Sequence, residues 1–565
     1  MKRFIFTIFL FLPILMFGNE LANLNAQKFG ILTLIPPVVA ITLAFITKDV
    51  IFSLFIGVFS GTFMIFITQD NIFSAFIKGF VNVCNRMVHS MADPWNAGII
   101  LQVLAIGGVV ALITRMGGTK AVAEWLAKKA KNHKSSQIST WLMGLFVFFD
   151  DYANALIVGP VMRPVTDKFK VSREKLAFII DATAAPISGI AIISTWIGYE
   201  LSVIKSSYEI IGMTDVNAFA IFLETLPYRF YNIFMIIFVF ATAITAREFG
   251  PMYKAELRAR TTGITTSKNN IKMDDIEDKS ILPKAGIKLQ TSNAIIPILV
   301  LMFGAILGFY LNGLGALDGE ILEQVKADPF SLFALRETFG NADASVVLFQ
   351  AALFATVVAI FMGVYRKIFT ISEAISVWAK GWKTMIITII ILLLAWSLSS
   401  IIKDLGTSRY LVGILSDSVP LWVLPTTIFI LGSFISFSTG TSYGTMGILM
   451  PLAIPLAFAI GGYNGLTEHA LHSYMIINIG SVLTGAIFGD HCSPISDTTI
   501  LSSMGAGCNH IDHVSTQMPY ALLIGAISIL IGYLPVSFGL PVVFSLALGV
   551  IFIFIILRTI GKKVE

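Results

Sequence analysis

Charged side chains are scarce in this sequence: Asp, Glu, Lys and Arg make up 13% of the 565 residues, about half of the roughly 25% found in soluble chains. So little charge excludes a nucleic-acid-binding protein and a disordered chain. Three cysteines (Cys84, Cys492 and Cys508) are too few and too scattered for a secreted disulfide framework. Hydrophobic residues make up 56% of the chain, more than a soluble globule could bury. The composition therefore indicates a membrane protein.

Long apolar stretches follow one another along the chain, many near the roughly 20 residues that a membrane-spanning helix needs. An amphipathic segment at 73–91 is predicted to be an interfacial or a tilted helix. The predicted spans are 29–46, 51–68, 97–114, 175–199, 219–246, 293–312, 346–364, 384–402, 474–503, 519–537 and 540–558. The expected fold is therefore an all-α polytopic membrane protein.

The first residues combine two basic side chains, Lys2 and Arg3, with an apolar run and a polar stretch. This pattern fits a cleaved signal peptide over 1–26, and it equally fits an uncleaved extra N-terminal helix. Both interpretations stay open. The remaining chain is expected to divide into a first membrane half (27–246), a charged cytoplasmic linker (247–290) and a second membrane half (291–565).

The distribution of Lys and Arg predicts the orientation of the spans. Basic loops lie at 128–134, 366–383 and 562–563, and the segment 247–290 carries nine basic and six acidic residues. These loops are predicted to be cytoplasmic, and the C-terminus with them. The loop 313–344 has six acidic and two basic residues, so it is predicted to lie outside.

The stretch 141–162 is long enough to cross the membrane, yet basic residues flank it on both sides. Both of its ends are therefore predicted to be cytoplasmic, which makes it a re-entrant hairpin. Non-helical backbone at membrane depth is tolerated only inside protein or along a wet cavity. The hairpin is accordingly a candidate site.

A weak internal repeat supports this interpretation. DDYANALIVGPVMRP at 150–164 matches TSYGTMGILMPLAIP at 441–455, and TAAPIS at 183–188 matches HCSPIS at 491–496. Each half thus carries a polar hairpin followed by a helix broken at Pro186 or Pro494. The segment 421–458 has no Lys or Arg, so the second hairpin is predicted to enter from outside and the halves to be inverted copies. Inverted repeats with broken helices are typical of secondary transporters.

Ionisable groups are costly at membrane depth and are usually functional there. In the first half they are Asp150, Asp151 and Asn154 of the hairpin and Asp181, Thr183 and Ser188 of the broken helix. Carboxylates, amides and freed carbonyls are the oxygen ligands that hard cations prefer. Alternatively, the aspartates form a hairpin tip paired with Arg163 or with backbone amides, and Asp181 caps a half-helix.

In the second half, the hairpin supplies Thr441 and Ser442 but no carboxylate, and its small residues could instead serve helix packing. The broken helix is denser in polar groups. Its candidates are Asp490, Ser493, Ser496, Asp497 and Thr498. The alternative is a proline kink whose polar residues face a cytoplasmic vestibule. A metalloenzyme built on His491, Cys492, His510 and His513 is the alternative from another functional class. These are zinc-ligand residue types, but they lack the usual paired spacing.

Two blocks carry a family resemblance. FFDDYANALIVGPVMRPVTDKFKVSREKLAFIIDATAAPIS at 148–188 and GDHCSPISDTTILSS at 489–503 resemble the corresponding blocks of the NhaC-type Na⁺/H⁺ antiporters. The resemblance extends over about 30–555. It implies a bacterial inner-membrane protein with two inverted repeats, in which a mobile domain moves against a scaffold that often dimerises. A homodimer surrounded by membrane lipids is the expectation.

The sequence contains no G-x-x-x-x-G-K-[ST] loop, so ion gradients are expected to drive transport. The predicted function is the exchange of Na⁺ for H⁺, with these transported ions and no cofactor. The alternative on the same fold is a Na⁺- or H⁺-coupled carrier or exchanger of an organic acid or amino acid. The site segments lack an unpaired buried Arg or Lys for a carboxylate, which favours the cation-only prediction.

Overall fold

The structure is a computed structural model that describes residues 24–47, 49–267, 286–407 and 420–564, together with residues 283 and 410. The predicted signal segment 1–26 falls almost entirely outside the described residues. A 3-10 turn at Gly30–Leu34 precedes the first numbered helix, and a π-helical turn at Ser528–Tyr533 joins the helix that ends at Ile527 to the one that begins at Leu534. The described helices are α1 Ile35–Thr47, α2 Val50–Ile67, α3 Ile72–Ala92, α4 Pro94–Arg115, α5 Gly118–Ala127, α6 His133–Phe146, α7 Asp151–Lys168, α8 Arg173–Ala182, α9 Ala185–Ser188, α10 Ile197–Ile210, α11 Ala218–Thr225, α12 Phe230–Thr245, α13 Gly250–Thr262, α14 Ser292–Ala316, α15 Gly319–Ala327, α16 Leu332–Asn341, α17 Ala344–Tyr365, α18 Ile371–Thr384, α19 Ile386–Asp404, α20 Val423–Thr439, α21 Ser442–Tyr463, α22 Glu468–Cys492, α23 Asp497–Ala506, α24 His510–Ile527, α25 Leu534–Ser537 and α26 Val542–Thr559.

Ten helices in the described part of the chain are long and apolar enough to cross a membrane, and a bent pair brings the number to 11. The bent pair, Ala218–Tyr228 and Phe230–Thr245, turns by 48° within the predicted span 219–246. Most predicted spans therefore form long apolar helices, whereas the predicted span 175–199 is divided among α8, α9 and the start of α10. The chain is a nearly all-helical, multi-pass membrane protein.

The amphipathic segment 73–91 forms one continuous helix, α3. Asn71 caps it, because its side chain accepts a hydrogen bond from Ser74 N at 2.9 Å. Phe73 and Phe76 are exposed on its surface. The helix is confirmed, while its position relative to the membrane stays a prediction.

The two matched hairpin segments have the same local structure. In the first, α6 ends at Phe146, and α7 begins after the N-cap residue Asp150. In the second, α20 ends at Thr439, and α21 begins after the N-cap residue Thr441. Asp150 and Thr441 occupy equivalent positions of the repeat, so the repeat corresponds to a shared helix–break–helix unit. Re-entry and the inverted orientation stay predictions.

The helices predicted to break at proline do so. Between α8 and α10 the backbone forms only the four-residue helix α9, which contains Pro186. Between α22 and α23 the helix stops at Cys492 and resumes at Asp497, with Pro494 in the gap. Proline lacks the backbone donor that would continue the helix. The helix α23 packs on α7 and α8, so segments of both halves meet around the breaks.

The sequence predicts that Glu200 and Lys205, just past the span 175–199, are solvated and that Arg229 lies at the membrane interface. Glu200 and Arg229 are buried instead. Glu200 and Arg229 form an ion pair at 2.7 Å, and both side chains are 0% exposed. The Arg229 Nε atom also donates to Thr225 Oγ1 at 3.2 Å. The expectation of solvation was wrong because the bend before α12 turns Arg229 inward against α10.

The first part of the segment 247–290 is folded rather than extended. The strand β1 (Arg247–Glu248) pairs antiparallel with β2 (Lys562–Lys563). Glu248 forms a buried ion pair with Lys175 at 2.8 Å, and α13 packs on α24. Residues 268–282 lie outside the described part, and the predicted division into domains at 247–290 stays a prediction.

The first residue of α6 is a histidine, His133. Burial, with smaller contributions from the charges of Arg260 and Lys134, lowers the pKa of His133 to about 4. His133 is therefore neutral near physiological pH.

Candidate functional site

The first hairpin places its polar residues at the start of α7. Asp150 is 4% exposed, and its carboxylate accepts a hydrogen bond from Ala153 N at 2.7 Å. Asp151 is equally buried, and no described cation forms an ion pair with either aspartate. The alternative of a pair with Arg163 is thus wrong, whereas the backbone contact is real and defines Asp150 as an N-cap.

Asn154 connects this hairpin to the broken helix of the same half through hydrogen bonds. Its Nδ2 atom donates to Gly144 O at 2.9 Å and to Thr183 O at 2.6 Å. Thr183 itself donates its hydroxyl to Ile179 O at 2.7 Å, within α8. Asn154 consequently holds the backbone at both breaks of the first half.

The second hairpin contacts the second broken helix through a carboxylate. Ser442 Oγ donates to Asp490 Oδ2 at 2.7 Å, and Asp490 is 5% exposed. The neighbouring Thr441 caps α21 by accepting a weak hydrogen bond from Gly444 N at 3.4 Å. Asp490 of α22 thus places a carboxylate against the second hairpin, whose own sequence contains none.

Small residues also let this hairpin approach the break closely. Gly440 has a φ of +67°, and a Cβ atom there would lie 2.6 Å from Ile495 O. A side chain at this position would clash with backbone and would also be strained. The small residues of the second hairpin therefore serve close helix packing, while Ser442 of the same hairpin makes the polar contact to Asp490.

The four breaks approach one another across the two halves. Tyr152, on α7, directs its hydroxyl toward Asp497 Oδ2 at 3.4 Å. Gln517 links Asp181 to the carbonyl of His491, the residue that follows Asp490. Asp150, Asp151, Asp181 and Asp490 are buried around the breaks, and the exposed Asp497 lies beside Tyr152. These five residues are called the acidic cluster.

Asp181 lies one residue before the end of α8, and it does not cap a half-helix. Its carboxylate accepts hydrogen bonds from Gln517 Nε2 at 2.8 Å and from Ser502 Oγ at 3.4 Å. The His513 Nε2 atom lies 3.9 Å away. The capping alternative is thus wrong, and Asp181 links α8 to α23 and α24.

The remaining predicted hydroxyls have varied surroundings. Ser493 Oγ donates to Phe437 O at 2.7 Å. The hydroxyls of Ser496 and Thr498 are hydrogen-bonded to each other at 2.9 Å. Ser188 is buried, and no hydrogen bond to its hydroxyl is found within the described residues. Ser493 therefore stabilises the break, whereas Ser188 keeps an unused oxygen.

Several buried oxygens around the breaks have no hydrogen-bond partner among the described residues, and they include Asn154 Oδ1, Asp490 Oδ1 and Ser188 Oγ. A buried acceptor without a donor is costly. Oxygens of carboxylate, amide and hydroxyl type are those that a hard cation such as Na⁺ binds. These three oxygens are therefore without a hydrogen bond in the described residues and are of the chemical type that suits Na⁺.

The histidines and cysteine of the zinc alternative have other partners. His491 Nδ1 pairs with Tyr231 at 2.6 Å, and His510 Nε2 pairs with Pro494 O at 2.6 Å. His513 contacts Ser503, and Cys492 donates to Phe488 O. In the described part of the chain, no group of three His, Cys, Asp or Glu residues could hold a metal ion. Geometry thus gives the metalloenzyme alternative no support.

Several residues of the site were missed from the sequence. Gln517 donates to Asp181 and to the carbonyl of His491, and Asn232 donates to Pro186 O at 2.8 Å. Both are amides inside apolar spans, a pattern that could have identified them. Tyr199 donates to Tyr443 O, and no pattern in the sequence indicates that it belongs to the site.

A family model described as the Na⁺/H⁺ antiporter family matches residues 189–538. That match covers more than half of the chain, including the second hairpin and both ends of the second broken helix. The chain belongs to the Na⁺/H⁺ antiporter family.

Two curated proteins are similar in sequence to this member of the Na⁺/H⁺ antiporter family. An uncharacterized protein of Haemophilus influenzae is 33% identical over 546 residues, which cover 96% of this chain and 97% of that protein. The arginine/ornithine antiporter of Halobacterium salinarum is 28% identical over 145 residues, 23% of this chain and 29% of that one. As a member of this family, the protein is a membrane transporter and not an enzyme.

A solved structure shares the fold. That of Neisseria gonorrhoeae MtrF, described as illuminating a class of antimetabolite efflux pumps, superposes with a TM-score of 0.50. The two chains are 13% identical, and the superposition covers 87% of each. At this identity the likeness concerns the fold alone.

Proposed function

We propose that this protein exchanges Na⁺ for H⁺ at the acidic cluster formed by the buried Asp150, Asp151, Asp181 and Asp490 and by the exposed Asp497. The observation that carries the proposal is the absence of a Lys or Arg ion pair for the first four of these carboxylates within the described residues. Other buried carboxylates of the protein, such as Glu200, do have such a partner. Charge in the cluster must then be balanced by Na⁺ or by protons.

The same groups cannot hold both ions at once, and this competition couples the two fluxes. A deprotonated carboxylate can bind Na⁺, whereas a protonated one has lost most of its attraction for it. Asp490 Oδ1, Asn154 Oδ1 and Ser188 Oγ are further oxygens available for a cation. Loading protons from one side thus favours release of Na⁺, and loading Na⁺ favours release of protons.

The test uses purified protein in proteoliposomes with an acidic interior and a pH dye. Adding Na⁺ should collapse the pH gradient, and Asp150→Asn combined with Asp151→Asn should abolish that response. Asp328→Asn, an exposed carboxylate far along the chain, is the control and should retain it. Full Na⁺-driven proton flux in the double variant, correctly inserted, would reject the proposal.

A second candidate function is the exchange of a small organic solute, coupled to Na⁺ or H⁺. It is favoured by a cavity of about 520 Å³ lined by α3, α4, α10 and α19, which is far larger than a bare cation needs. The short match to an arginine/ornithine antiporter supports it as well. In the same proteoliposomes, this function predicts little flux with Na⁺ alone and a response once an amino or organic acid is added.

A further inference from the structure

The cavity of about 520 Å³ lies at the C-terminal ends of α3, α10 and α19 and at the start of α4. These ends lie opposite the basic loop 128–134, so the orientation predicted from the sequence places the cavity outside. Amides, hydroxyls, charged groups and two tryptophans, Trp95 and Trp396, line it. Its volume falls in the range of about 300–1,000 Å³ typical of small-molecule sites.

Some charges of the cavity are already engaged. Arg86 forms an ion pair with Asp404 at 2.6 Å and also donates to Ser400. Asp93 caps α4 by accepting from Asn96 N at 2.9 Å. These charged groups form part of the cavity wall, and each already has a partner within the protein.

Three other charges line the cavity and form no ion pair among the described residues: Lys205, Lys403 and Glu209. Lys205 and Glu209 are half-buried on successive turns of α10. The Lys205 ammonium lies 3.9 Å from the ring centroid of Trp95. The cavity thus presents two positive groups and one negative group beside an aromatic surface.

The floor of the cavity connects it to the hairpins. Trp396 donates its indole N–H to Ser202, which lines the cavity on α10. One turn earlier on the same helix, Tyr199 donates to the carbonyl of Tyr443 in the second hairpin, and their rings lie 4.7 Å apart. A solute in the cavity would therefore lie one helical turn from the hairpin that contacts Asp490.

We infer that this cavity binds a free amino acid, with its carboxylate at Lys205 and Lys403 and its ammonium group at Glu209. Separate positive and negative groups in one cavity complement a zwitterion better than they complement a simple cation or anion. Trp95 offers an apolar face for the side chain or the stem of the ligand. The inference rests on the second candidate function and assigns it a ligand class and a site.

Isothermal titration calorimetry on the purified full chain tests the inference with the proteinogenic amino acids and ornithine as probes. At least one should bind. Its des-amino acid and its decarboxylated amine should each bind about tenfold more weakly or not at all, since each lacks one charged contact. Lys205→Gln and Glu209→Gln should each weaken amino-acid binding by a similar factor. Lys254→Gln, an exposed lysine on α13, should not.

Two results would overturn the inference: no amino acid binds the wild-type chain, or a des-amino analogue binds as tightly as its parent. The analogue series uses only the wild-type chain, so it decides the matter even where a variant fails to fold. Asp150→Asn with Asp151→Asn should keep amino-acid binding while losing ion flux. Loss of amino-acid binding would therefore count against the cavity site alone, and unchanged ion flux in the double variant would count against the acidic-cluster proposal alone.

Discussion

Replacing Arg229 by Met should destabilise this protein more than replacing an exposed cation. The Arg229 side chain is 0% exposed and lies 2.7 Å from the carboxylate of Glu200, which is equally buried. Removing one partner of such a pair leaves an uncompensated buried charge, which costs about 3–5 kcal/mol. The loss of the hydrogen bond to Thr225 adds to this cost.

The double variant Glu200→Met with Arg229→Met should be more stable than Arg229→Met alone. Two apolar side chains of similar size leave no charge unpaired, and replacing a whole buried pair is often neutral or stabilising. The matched control is the exposed pair Lys326–Glu323, whose atoms lie 3.6 Å apart. For Lys326→Met the expected cost is about 0–1 kcal/mol, because solvent screens exposed pairs.

Thermal unfolding of the purified variants in detergent measures their relative stability. The expected order of melting temperature is Arg229→Met lowest, the double variant higher, and Lys326→Met near the wild type. Equal melting temperatures for Arg229→Met and Lys326→Met would refute the burial of this pair. They would instead favour the solvated edge position expected from the sequence.

Three further predictions concern the site and its surroundings. Ser442→Ala should raise the Na⁺ concentration for half-maximal proton flux by about tenfold in the proteoliposome assay. The hydroxyl of Ser442 positions the Asp490 carboxylate, and a hydrogen bond to a charged group contributes about 1.5 kcal/mol or more. His133→Gln should leave the pH profile of transport unchanged between about pH 5 and pH 8, because a pKa near 4 keeps this histidine neutral throughout that window. Gly159→Ala should reduce the yield of folded protein, because the new Cβ would lie 2.4 Å from the backbone of Gly505 and push α7 from α23.

Each of these has a contrary outcome. Unchanged Na⁺ affinity in Ser442→Ala would show that the hydrogen bond does not position Asp490 for the ion. A shifted profile in His133→Gln would show that this histidine titrates in the working range. Gly462→Ala is the control for the glycine contact, since a Cβ there meets nothing within 4 Å, and equal yields of the two variants would contradict the close packing.

The sequence alone predicts the elements of this fold. Long apolar runs must satisfy their backbone internally in a membrane, so α14, α17 and α19 coincide with predicted spans within a few residues. Pro494 and the polar residues around it interrupt such a run, and this marks the break. The acidic cluster was predictable for the same reason, since Asp150 and Asp490 are costly exceptions inside apolar segments.

Only the tertiary structure decides which of these residues meet. Asp181 contacts Gln517 across more than 300 residues, and no local pattern encodes that distance along the chain. Glu200 and Lys205 lie on one helix and looked alike, yet packing buries the first against Arg229 and leaves the second at the cavity wall. Hydropathy reports the solvent that a segment prefers, whereas the partner of a charged group depends on how separate helices pack. The helices and their breaks therefore follow from the residues themselves, and the pairing of their charges follows from the packed fold.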